Sequence, residues 1–111
     1  MHGYVDIYLL PVPTRNLDAY RDQATAFGQV AREHGASAYR EFKADDVGES
    51  FAAGEGEVMT AAVVEFDSRA HRDEVMGKVM SDPRIEEMTD QPELADMKQM
   101  RYGGFETFVS A

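Results

Sequence analysis

Val5, Ile7 and Leu9 alternate with Tyr4, Asp6 and Tyr8, a period of two that predicts a β-strand. Pro11 and Pro13 are read as its end, since proline cannot donate to a strand ladder. Over residues 16–34 the period changes. Leu17, Tyr20, Ala24, Phe27 and Ala31 recur every three or four positions, which predicts a helix with one apolar stripe. Gly28 lies at the edge of that stripe, where a missing side chain permits close backbone approach, and Gly35 is the expected stop. Residues 38–44 read as a second strand and 45–56 as a loop rich in Gly, Asp and Glu. Residues 59–66 form a nearly continuous apolar run, the pattern of a central strand. Asp67 or Ser68 caps a second helix reaching about residue 81, with Val75, Met76, Val79 and Met80 as its inner arc. Asp82-Pro83 breaks it, and a short helical turn follows through Met88. Residues 85–97 hold five acids and no base, which reads as a solvated connection. Residues 100–109 are the last strand, and Gly103-Gly104 inside it points to a bulge or a close approach.

The order β-α-β-β-α-β over residues 1–111 defines a single α+β domain of the ferredoxin-like type. Both helices then lie on one sheet face, and the first and third strands are central. If Val5, Ile7 and Leu9 face the helices, Tyr4, Asp6, Tyr8 and Leu10 face away. Two tyrosines and a leucine on an open sheet form an apolar patch, and such patches mark interfaces. Two copies packed sheet to sheet cover it, so the pattern predicts a two-fold homodimer.

Composition narrows the function. The chain has 111 residues, 43% hydrophobic and 29% charged, which fits one folded domain. Its net charge is −10, from 11 basic and 21 acidic residues, with no basic cluster in the sequence. Nucleic-acid backbones and anionic membrane surfaces both require such a cluster, so neither is an expected partner. The absence of cysteine excludes disulfides, iron–sulfur clusters and thiolate zinc sites. The N-terminus lacks a basic segment, Asp6 interrupts its apolar run, and no stretch is long enough to span a bilayer. These features predict a cytoplasmic protein.

The nucleophile inventory is thin. No serine sits in a Gly-x-Ser-x-Gly turn, and there is no phosphate-binding glycine loop. His2, His34 and His71 include no pair at the spacing of a helical metal site, and each reads as a surface histidine. Asp45, Asp46 and Glu49 could hold a hard cation but read as a solvated loop, so no metal and no cofactor is expected. Asp6 is the most informative residue: aspartate is a poor strand former, and in mid-strand its carboxylate must be paired or wet. Either it bonds a tyrosine, an arginine or a dimer partner, or it is a general base with a pKa raised by burial. Arg72 falls within the apolar arc of the second helix. It either snorkels, pairs with a strand carboxylate such as Glu65 or Glu41, or faces an anionic ligand. Asp6, Arg72 and Glu41 are therefore the candidate catalytic residues. Tyr4, Tyr8, Glu65, Arg84, Tyr102 and Phe105 are the candidates for lining a small-molecule site, with Tyr39 and Phe108 as further aromatic walls.

Several segments together resemble one family. They are Tyr4-Val5-Asp6, Asp18-Ala19-Tyr20-Arg21, Glu41, Ala44-Asp45-Asp46-Val47, Arg72-Asp73, Met80-Ser81-Asp82-Pro83-Arg84 and Tyr102-Gly103-Gly104-Phe105-Glu106. In this order, over nearly the whole chain, they are similar to the bacterial YbaA-like family, domain of unknown function 1428. The resemblance implies a ferredoxin-like subunit of a dimeric α/β barrel. It implies no activity and transfers no catalytic residue. Phe42-Lys43 stands where relatives often have Cys-Trp, Val63 where they often have Trp, and Met97-Lys98-Gln99 where they have a Gly-Lys-Arg run. The loop 48–56 is also short. Two functional readings follow: a small-molecule-binding or cofactor-independent enzymatic barrel, and a non-catalytic structural or regulatory homodimer. They differ in whether the space between sheet and helices is open or filled.

Overall fold

The computed structural model describes residues 3–111, so His2 lies outside the described residues. Strand β1 spans Tyr4–Pro13, helix α1 Leu17–Glu33, β2 Ala38–Lys43, β3 Glu57–Phe66, α2 Arg69–Met80, α3 Pro83–Thr89 and β4 Arg101–Glu106. The four strands form one antiparallel sheet in the order β2-β3-β1-β4, with β1 and β3 central as the apolar runs predict. Among the described residues no helix is long and apolar enough to cross a membrane.

Local signals account for the helix ends. Gly35 sits at φ 118°, a backbone geometry that an L side chain rarely adopts, and it ends α1. Ser68 caps α2 by accepting the His71 N–H at 3.1 Å. Asp82 caps α3 by accepting the Arg84 N–H at 2.9 Å, with Pro83 in the first turn.

Both prolines lie inside β1 instead of ending it. The Thr14 N–H bonds the Gly56 C=O, and the Thr107 N–H bonds the Gly3 C=O. Even-numbered residues of β1 therefore direct their backbone groups to β3, and odd-numbered ones to β4. β4 reaches only as far as Arg101, opposite Leu9. Pro11 and Pro13 thus turn their missing donors toward a side where no β4 partner exists, and they pair normally with β3 opposite Met59 and Glu57. The last strand is shorter than expected: it ends at Glu106, and Phe108 is 94% exposed.

The two sheet faces are the reverse of the expected ones. Asp6, Leu10 and Val12 are buried on the helical side of β1, while Val5, Ile7 and Leu9 are half-buried on the open side. The register extends this division across the sheet. Thr60, Ala62, Val64 and Phe66 of β3 are buried beneath the helices. The open face carries Val5, Ile7 and Leu9 with Val63, Phe42 and Phe105. Alternation alone could not decide the side, because both sets are apolar. Asp6 decides it, since its carboxylate reaches Arg72 on α2 at 2.6 Å.

The core comes in two parts. One joins Val30, Ala31, Val64, Phe66, Val75 and Val79 between sheet, α1 and α2. A smaller one joins Leu10, Val12 and Ala95. Of the expected inner arc of α2, Val75 and Val79 are buried and Met76 half-buried, but Met80 is 57% exposed. Beyond α3 the acidic connection is not fully solvated: Ala95 is buried, and Leu94 is half-buried beside it. Its acids face water while its apolar residues close over the sheet.

Candidate functional site

The helix-facing residues of the four strands form rows. At one level Glu41, Ala62, Tyr8 and Tyr102 stand side by side across β2, β3, β1 and β4. Ala62 is the small member of this row. With only a methyl group between Glu41 and Tyr8, the row leaves a hollow in the sheet surface. Above it lies a cavity of about 660 Å³ between the two core clusters. Tyr20 and Phe27 of α1, Met76 of α2, Met88 of α3, and Leu94 and Ala95 of the connection form its roof and sides. Five methionines line it: Met76, Met80, Met88, Met97 and Met100.

A carboxylate held by two phenols dominates the polar part. Tyr20 donates to Glu41 Oε1 at 2.7 Å, and Tyr39 donates to Glu41 Oε2. Tyr39 is fixed from behind by Gly28. A Cβ at that position would lie 2.5 Å from the Tyr39 ring, so the close approach expected at this glycine is an approach to a tyrosine. Burial and the adjacent Glu41 charge push both the Tyr20 and Tyr39 phenols well above the ordinary tyrosine range. Tyr8 stacks on Tyr102, with ring centroids 5.7 Å apart and planes 17° from parallel. Burial and the nearby Asp6 carboxylate push Tyr8 up to about 12. Tyr8, Tyr20 and Tyr39 therefore remain protonated near neutrality. On the floor, the Thr60 hydroxyl donates to the Leu10 carbonyl at 2.8 Å and so offers no free donor.

Asp6 and Arg72 form a separate cluster under α2, outside the cavity lining. Arg72 Nη1 reaches Asp6 Oδ1 at 2.6 Å and Nε reaches Asp73 Oδ1 at 2.8 Å, while its guanidinium carbon lies 5.0 Å from the centroid of the Tyr4 ring. Tyr4 in turn presses on Gly104, where a Cβ would lie 2.1 Å from its hydroxyl oxygen. This explains one of the paired glycines in β4: it makes room for a tyrosine from the neighbouring strand. Burial raises the Asp6 pKa, and the Arg72 cation opposes that rise. Arg72 thus pairs with Asp6, not with Glu65 or Glu41. Its guanidinium is occupied and does not face a ligand.

The remaining candidates scatter. Glu65 pairs with Arg40 at 3.1 Å on the open sheet face. Phe105 also lies there, opposite Val5 and 53% exposed. Arg84 binds Glu33 at 2.7 Å and Asp82 at 2.9 Å where α3 begins, and it lines a second hollow, of about 770 Å³, that Tyr20, Tyr39 and Glu41 also border. Asp82 also accepts from His34 Nε2 at 2.8 Å, and these hydrogen bonds hold its carboxyl well below the ordinary range. Asp45, Asp46 and Glu49 do not gather: among the described residues no group of three His, Asp or Glu side chains is placed to hold a metal. The structure therefore brings together Tyr8, Tyr102, Glu41 and Tyr39 of the expected residues. It adds Tyr20 and the methionines. Tyr20 was visible in the stripe of α1, but an aromatic at helical spacing reads as core, and only the fold reveals Glu41 opposite it.

This architecture, four antiparallel strands in ferredoxin-like order with helices over one face and a cavity beneath them, defines the class: an α+β sandwich. The chain itself belongs to the family described as protein of unknown function DUF1428, which residues 3–97 match. It is 34% identical to the uncharacterized protein YbaA of Escherichia coli K12, over 96% of this chain and 97% of the relative, and equally to that of Shigella flexneri. Two solved structures share the fold. Rv0793 from Mycobacterium tuberculosis superposes with a TM-score of 0.64 at 13% identity, covering 98% of each chain. SnoaB from Streptomyces nogalater, described as a cofactor-independent oxygenase, superposes with a TM-score of 0.57 at 13% identity, covering 98% of this chain and 95% of that one.

Proposed function

We propose that this protein is a homodimer, packed open sheet face against open sheet face, in which each subunit binds a small, largely apolar molecule between its sheet and its helices. The carrying observation is the cavity of about 660 Å³. Its size is that of an ordinary small-molecule site, and its make-up, apolar walls with a few convergent polar groups, is the usual one. A purely structural dimer would have no need of that space. Tyr102, Met80 and Met97 at its edge are exposed, so the space opens to solvent as a ligand cleft does. The dimer reading is supported by Val5, Ile7, Leu9, Val63, Phe42 and Phe105, which share a face no helix covers. If the ligand is turned over, Glu41 is the carboxylate placed to accept a proton, because it stands on the cavity floor. Asp6 is bound to Arg72 outside the cavity.

Native mass spectrometry of the untagged protein, as purified, tests both parts at once. The expected spectrum is a dimer of 12.4 kDa subunits carrying a defined extra mass. Ala62→Leu, which fills the floor, should shed that mass and keep the dimer. A bare dimer that also takes up none of a panel of small aromatic compounds would overturn the binding reading. A monomer at micromolar concentration would overturn the dimer.

A further inference from the structure

We propose that the cavity is built for an apolar organic cation, an amine or quaternary ammonium on an aromatic or alkyl body, with its charge between Glu41 and the tyrosine rings. The inference rests on the binding reading above and adds the charge of the ligand. Its first support is the charge of the walls. Glu41 and Glu93 line the cavity, and among the described residues that line it there is no lysine, arginine or histidine. The chain has 11 basic residues, and none of them lines this space. An anionic ligand would enter without a counter-charge and lose its hydration, a costly exchange.

The second support is the state of Glu41. Its hydrogen bonds come from the Tyr20 and Tyr39 hydroxyls, which are neutral donors. They hold the carboxylate in place but do not cancel its charge, and no ion pair among the described residues involves it. Glu41 also borders the second hollow, where Arg21, Arg40 and Lys43 lie, yet on the cavity side a neutral ligand would offer it no counter-charge. A cation answers it.

The third support is the aromatic lining. Tyr8, Tyr20, Tyr39, Tyr102 and Phe27 all line the cavity. Aromatic faces attract cations, and a group of them is the known chemistry of ammonium recognition. The methionine sulfurs at the same walls are soft and polarizable and suit an apolar body. The chain's net charge of −10 draws cations toward any cleft on it.

Three probes of one shape and different charge test this: 3-phenylpropylamine, 3-phenylpropan-1-ol and 3-phenylpropanoate, titrated calorimetrically at neutral pH and low salt. The amine should bind about tenfold or more tightly than the alcohol, with the carboxylate weakest. Added salt should weaken the amine and leave the alcohol unchanged. Glu41→Gln keeps the size of the side chain and should erase the preference for the amine over the alcohol, while an unchanged far-ultraviolet spectrum and cooperative thermal unfolding report that the fold is intact. An alcohol that binds as well as the amine, a carboxylate that binds best, or a cation preference that survives in Glu41→Gln would overturn the inference and leave the cavity a binding site. No binding of any of the three would overturn the inference and count against the binding reading beneath it.

Discussion

At the scale of single residues, the pairing of Asp6 with Arg72 is a contact that neither partner can lose alone. Asp6 is 4% exposed, and the Arg72 side chain 22%. Removing the arginine leaves a buried carboxylate beneath α2 with its main partner gone. Breaking such a pair from one side typically costs a few kcal/mol, whereas replacing both partners with apolar groups is often nearly neutral. Arg72→Ala should therefore lower unfolding stability in urea by about 3 kcal/mol, and the double variant Asp6→Leu with Arg72→Met should recover most of it. Additive losses in the double variant would show that the two side chains do not act as a pair. Gly28 makes a second prediction at this scale. Alanine gains about 1 kcal/mol of helix propensity. At Gly28, however, its Cβ would lie 2.5 Å from the Tyr39 ring, whose hydroxyl is tied to Glu41. Gly28→Ala should thus destabilise by about 1–3 kcal/mol net, as overpacking does. A variant as stable as the parent would show that the ring moves freely.

Among the elements, α3 depends on one carboxylate. Asp82 caps it through the Arg84 N–H, and also binds the Arg84 guanidinium and His34 at the C-terminal end of α1. Those bonds depress its pKa in the folded state. A depressed carboxyl contributes stability that is full above its unfolded value, about 3.9, and is lost as pH falls through the folded value. Stability should decline on acidification below about pH 4, and Asp82→Asn should flatten that decline while lowering stability at pH 7. An unchanged acid profile in the variant would remove Asp82 from the account.

The elements also show how much the sequence revealed. Order, strand centrality and the Ser68 cap were legible because each rests on a local pattern. Which face of β1 looks inward was not, because Val5, Ile7 and Leu9 are as apolar as Leu10 and Val12. The deciding contact, Asp6 to Arg72, joins residues 66 positions apart. For the same reason part of the candidate site dispersed. Glu65 and Phe105 went to the open face with the inverted parity. Tyr20 and Glu41 met only because α1 lies across β2.

For the whole molecule, the sheet has one face under helices and one without, and the uncovered one carries an apolar patch around Val5, Ile7, Leu9 and Val63. Ile7 and Val63 are register partners near its centre. Ile7→Lys places a charge there without touching the cavity, so it should convert the proposed dimer to a monomer by sedimentation while leaving the far-ultraviolet spectrum unchanged. A dimer that survives Ile7→Lys would place the interface elsewhere. The cavity and the proposed interface lie on opposite faces of the same strands. Changes to one should leave the other intact, so loss of ligand with retention of the dimer is the expected separation.

The placement of the tyrosines has a practical consequence for optical work. The chain has five tyrosines and no tryptophan, and Tyr8, Tyr20, Tyr39 and Tyr102 all border the same 660 Å³ space. Four of the five tyrosine emitters therefore sit on the walls of one cavity, with no indole to drain them by energy transfer. The molecule carries a built-in gauge of occupancy. An incoming guest should alter the quantum yield directly, and Tyr4, set apart beneath Arg72, supplies the constant background against which the change is read.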